Sequence, residues 1–140
     1  MLRIIMRADA TRHEDRTMLI DLLEANTHLQ HAEYRQCFLM AWFVVERFVE
    51  VKWEEFLGER GIIDERKRRQ VNTPSWSTHM ILEALYLGGK LPEELYSDVK
   101  RAKETRNKLI HKSAQVTKEQ ALEVMKLART LVDIKTSQST

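Results

Sequence analysis

From His31 to about Gly58 the chain carries Phe38, Trp42, Val45, Val49, Trp53 and Phe56 on one broad stripe at helical spacing. A stripe of large apolar residues that long is a helix which must bury one face, and it dictates that other elements gather around it. Only four glycines and two prolines occur in 140 residues, and the hydrophobic fraction is 43%. Helix is therefore favoured over strand, with enough apolar side chain for one core. The expected fold is all-α: a single-domain antiparallel bundle of about five helices.

The other helices follow from local signals. Thr11 and Glu14 read as a capping box opening a first helix over about 12–30, in which Met18, Leu19, Leu22, Leu23 and Leu29 recur at three- and four-residue spacing. Gly58, Gly61 and the charged run Asp64 to Arg69 end the central helix, and Arg66 to Arg69 reads as a solvated connection or a phosphate contact. Asn72 to Ser75, with Pro74, supplies the cap of a third helix over about 75–87, carrying Met80, Ile81, Leu82, Leu85 and Leu87. Gly88-Gly89 ends it in the left-handed conformation that glycine adopts without strain. A fourth helix over about 92–112 turns Leu95, Val99, Ala102, Leu109 and Ile110 inward. A fifth opens at the Thr117/Gln120 capping box and buries Ala121, Val124, Leu127, Ala128 and Leu131. The expected domain spans 12–135, with 1–11 an N-terminal extension and 136–140 a frayed tail.

Cys37 is the only cysteine, so no internal disulfide can form, and a reducing, cytoplasmic setting fits. No run approaches the roughly 18 apolar residues of a membrane span. The net charge of +2 is too small to attract a polyanion through the whole surface, so any affinity for nucleic acid must come from local clustering.

That clustering occurs on the fourth helix. At about 100° per residue, Arg106 projects within the arc of Leu95, Val99, Ala102 and Ile110, an unusual place for a guanidinium. Glu46 sits just as oddly on the stripe of the central helix, so the two either pair with each other or run from the edges of their stripes to water. Lys100, Lys103, Asn107 and His111 recur at three- and four-residue spacing and form a basic strip beside Arg106. Guanidinium holds two phosphate oxygens and imidazole moves protons near neutrality, so the set suits phosphate chemistry. Its spacing alone is more often that of a histidine stabilising a helix end. The remaining histidines offer no convincing metal-ligand arrangement, and neither a metal nor a cofactor is expected. Trp42, Trp53, Met40, Met80 and Met125 read as core packing.

Arg106-Asn107-Lys108-Leu109-Ile110-His111 resembles the Arg-Asn-x-x-x-His signature of the HEPN superfamily, and the helix order over about 12–135 is similar to that family's. Active members are metal-independent endoribonucleases that dimerise so that two motifs meet in one cleft. The resemblance implies that Arg106 binds phosphate, Asn107 orients the site and His111 acts as general acid or base. Glu46 matches, by helical position only, an acidic residue that steadies the arginine in some members. Lys100 and Lys103 are expected to contact RNA. In members partnered by a nucleotidyltransferase a tyrosine follows two residues after the histidine. Ser113 stands there, so regulation through that position is not expected.

The implied partners are RNA and a second copy, with the ends of the fourth helices approaching each other, and an antitoxin or nucleotidyltransferase within a toxin–antitoxin or anti-phage defence system. The implied reaction leaves 2′,3′-cyclic phosphate ends through attack by the RNA's own 2′-hydroxyl. The competing expectation is a non-catalytic HEPN dimer that binds nucleotide or RNA, or serves as a protein-interaction module.

Overall fold

The computed structural model describes residues 2–61 and 78–138. Among them are five helices and no strand: α1 Leu2–Gln30, α2 Tyr34–Glu59, α3 Thr78–Leu87, α4 Glu93–His111 and α5 Lys118–Gln138. The all-α expectation holds. The basic run at 64–69 and the cap expected at Asn72 to Ser75 lie outside the described residues.

Two boundaries differ from expectation. The first helix begins at Leu2, so Thr11 and Glu14 lie inside α1 and do not cap it, and the segment 1–11 is helical from its second residue. Between Leu2 and Gln30 there is neither glycine nor proline, and nothing interrupts the helix. At the other end, helix continues past Lys135 into the expected frayed tail. There the Thr136 hydroxyl donates to the Val132 carbonyl at 2.9 Å.

The stops are made by left-handed residues. Gly89, with φ +73°, closes α3: its N–H reaches the Tyr86 carbonyl at 3.1 Å, and that of Lys90 reaches Leu85 at 2.9 Å. These paired bonds satisfy carbonyls that the helix leaves free. The same pair closes α1 through Ala32 and Glu33, onto Leu29 and His28, but here the left-handed residue is alanine at φ +57°. Its Cβ crowds the following carbonyl, at a cost of about 1 kcal/mol. Ala32→Gly should therefore raise the urea midpoint by an amount worth roughly 1 kcal/mol. A midpoint that falls would mean that glycine's extra freedom in the unfolded chain outweighs the relief. The Thr117/Gln120 capping box forms as expected: the Gln120 N–H donates to Thr117 Oγ1 at 3.1 Å, and the Thr117 N–H donates to Gln120 Oε1 at 3.0 Å.

The described residues group into two compact units, and α2 and α4 each contribute residues to both. The first unit holds residues 1–48 and 105–140. Its core is built from Met18 and Ala25 of α1, Phe38, Trp42, Val45 and Phe48 of α2, Leu109 of α4, and Val124, Ala128 and Leu131 of α5. Helices α1 and α5 pack antiparallel, since Arg129 bonds Asn26 at 3.4 Å while Lys135 pairs with Asp15 at 3.9 Å. Cys37 is buried here, and burial pushes its thiol above the ordinary range. Of the five apolar residues assigned to the first helix, Met18 is buried, Leu22 and Leu29 are half-buried, and Leu19 and Leu23 are exposed. The last two lie about 100–140° round the helix from Met18, beyond the arc that the core covers.

The second unit, 49–104, packs Val49, Trp53 and Leu57 with Leu82, Leu85, Leu91, Val99 and Ala102. Gly88 permits the approach of Phe56: a Cβ there would meet the ring at 2.7 Å and the Ala84 carbonyl at 3.1 Å. Glu59 and Lys90 form an ion pair. In α3 only Leu82 and Leu85 are buried, while Met80 and Leu87 are exposed.

Candidate functional site

The motif occupies the last turns of α4, within the first unit. Leu109, only 1% exposed, anchors this end of the helix, and Arg106 lies one turn before it. Arg106 and Asn107 are both half-buried, and the Arg106 guanidinium donates to Asn107 Oδ1 at 3.5 Å. The asparagine therefore holds the arginine from the next position along the chain. His111 is exposed and is the last residue of the helix. The chain turns away two residues later through Ser113, left-handed at φ +49°. Asn107 and His111 are four residues apart on one side of α4, so the motif presents a guanidinium, an amide and an imidazole along the helix end.

Ile110 does not turn inward as expected. It is 48% exposed, because Leu109, about 100° away, takes the buried place in the last turn. An aliphatic side chain thus stands in water among Arg106, Asn107 and His111.

The expected contact between Glu46 and Arg106 is not made: no ion pair or hydrogen bond joins them among the described residues. Glu46 is half-buried at the edge of the α2 stripe, about 60° round from buried Val49. One turn before it, Trp42 is 3% exposed and its indole N–H has no hydrogen-bond acceptor among the described residues.

Lys100 and Lys103 belong to the second unit, in a cluster that sequence reading missed. The Tyr86 and Tyr96 rings stack with centroids 4.3 Å apart, Lys100 Nζ lies 5.8 Å from the Tyr96 ring centre, and the Tyr96 hydroxyl donates to the Glu83 carboxylate. Lys103 is half-buried and its ammonium titrates below the ordinary lysine range, first through burial and also through Lys100, against the opposing pull of Glu104 and Glu83. The signal was present in Tyr86 and Tyr96, but which ring meets which depends on how α3 returns along α4. The burial of Lys135 was legible in principle, since it continues the Ala128/Leu131 spacing of a buried stripe, but its pairing with Asp15 was not.

The hydrogen bond to Glu83 holds the Tyr96 hydroxyl protonated up to about 12, helped by burial and by the carboxylate's charge. The folded value lies above the unfolded one of about 10, so its contribution is complete below pH 10 and is lost as the pH rises to about 12. In an ultraviolet phenolate titration, the difference between wild type and Tyr96→Phe should be one step near 12. A step at the ordinary tyrosine value would mean that the hydroxyl is not held by Glu83.

Among the described residues, no helix is long and apolar enough to cross a membrane. Compared with protein-family models, curated proteins and solved structures, the chain matches none of them.

Proposed function

We propose that the chain is a metal-independent endoribonuclease of HEPN type that acts as a homodimer on RNA. The observation that carries this reading is the joined Arg106–Asn107 pair with exposed His111 one turn further along α4. A pre-positioned guanidinium binds a phosphodiester and stabilises charge developing on it, and a solvent-facing imidazole exchanges protons. In the reaction the RNA 2′-oxygen bonds to the adjacent phosphorus and gives up its proton to His111 of one copy. The phosphorus–O5′ bond breaks, and the departing oxygen takes a proton from His111 of the other copy. The products are a 2′,3′-cyclic phosphate and a 5′-hydroxyl, and DNA, lacking the nucleophile, is not cut. Lys100 and Lys103 add phosphate attraction without base specificity. A cytoplasmic setting and an antitoxin or nucleotidyltransferase partner belong to the same reading.

The test is incubation of purified protein with total cellular RNA in EDTA, followed by mapping of the new ends. Cyclic phosphate ends are expected. RNA that stays intact but is bound and retarded in a gel would replace the enzyme with the binding-module reading.

A further inference from the structure

Helix α1 presents an outer face that nothing in the first unit covers. Leu19, Ile20 and Leu23 are 48%, 47% and 59% exposed, and they lie opposite buried Met18 and Ala25. Arg16 and Glu24, both exposed, share this face, and the five side chains span an arc of about 140°. Neither Arg16 nor Glu24 forms an ion pair among the described residues. Three large aliphatic side chains adjacent in this way form a patch, in contrast to a singly exposed residue, which needs no explanation.

The placement of the two charges identifies what fits the patch. Arg16 and Glu24 stand four residues before and four after Ile20, about 6 Å along the axis in either direction. A second α1 laid antiparallel, with the two-fold axis at Ile20, brings Arg16 of each copy level with Glu24 of the other. A parallel copy would instead set arginine against arginine and glutamate against glutamate. Among the residues whose side chains are described, the face has one cation and one anion symmetric about an apolar centre, which gives a polyanion no net attraction there and makes the surface complementary to itself. Such a contact is isologous and closes at two chains.

We infer that the outer face of α1 is a self-association surface, on which a second copy packs antiparallel with Ile20 at the axis, Leu19 and Leu23 beside it and two Arg16–Glu24 pairs across it. The ribonuclease reading needs its second copy at the end of α4, whereas this pairing stands on α1 alone and is read without RNA.

Sedimentation of the full chain at tens of micromolar tests it. Wild type should run as a dimer. Arg16→Glu and Glu24→Arg each replace two attractive pairs with two repulsive ones, and each should weaken the dimer roughly tenfold or more. The double variant should regain it. Mixing the two single variants should yield a heterodimer, since every cross pair is then opposite in sign, and that recovery also shows that both are folded. A monomeric wild type overturns the inference. A wild-type dimer indifferent to both reversals also overturns it, placing self-association on another face and leaving the ribonuclease reading to its own assay.

Discussion

His111→Ala is expected to abolish RNA cleavage while leaving the fold intact. His111 is exposed at the end of α4, so its truncation removes no buried contact, and circular dichroism should be unchanged. General acid or base catalysis contributes roughly 10²–10⁴-fold, and in a dimer the substitution removes both the base and the acid. Arg106→Ala should be comparably severe. Arg106→Lys should rescue little, because lysine keeps the charge but has no planar fork to hold two phosphate oxygens or to reach Asn107 Oδ1 as the guanidinium does. Lys100→Ala and Lys103→Ala should instead weaken substrate binding, each lowering the salt slope by about one, with the chemical step unchanged. A His111→Ala protein that cuts RNA as fast as wild type would end the catalytic reading, whatever the binding data show.

Phe38→Ala should cost about 3–5 kcal/mol of stability, a large share of the roughly 5–15 kcal/mol that folded domains possess. Phe38 is 1% exposed and is flanked on α2 by Ala41, Trp42 and Val45, all buried, so the deleted ring leaves a cavity that these neighbours refill only in part. Phe43, five residues on, is 47% exposed, and Phe43→Ala should cost under about 1 kcal/mol. Urea unfolding of the pair, read as midpoints at constant slope, makes the comparison. Equal losses at the two positions would contradict the assignment of their faces.

Helix type and approximate position were legible because they rest on local chemistry. The periodic stripes, the Thr117/Gln120 box and the left-handed Gly89 each act within a few residues of chain, and each appears where its residues stand. The start of α1 was misplaced because a capping box reads the same whether or not the helix before it stops. Thr11 and Glu14 carry the pattern, but no breaker precedes them. For the site, the helical neighbourhood of Arg106, Asn107 and His111 was readable, since residues on one helix cannot avoid their spacing.

Which faces are covered was decided between helices. Ile110 and Leu109 are equally apolar, as are Leu23 and Leu22, and nothing local says which of each pair meets a neighbour. The absent Glu46–Arg106 contact, the Asp15–Lys135 pair and the Tyr86–Tyr96 stack have the same origin: they join residues on different helices. The sequence by itself determined the all-helical class, the Thr117/Gln120 cap and the order of groups along α4, because torsional preference and spacing act along the chain. The tertiary structure alone decided which charges meet and which apolar side chains remain in water, because those depend on side-chain distances across helices that no one-dimensional period encodes.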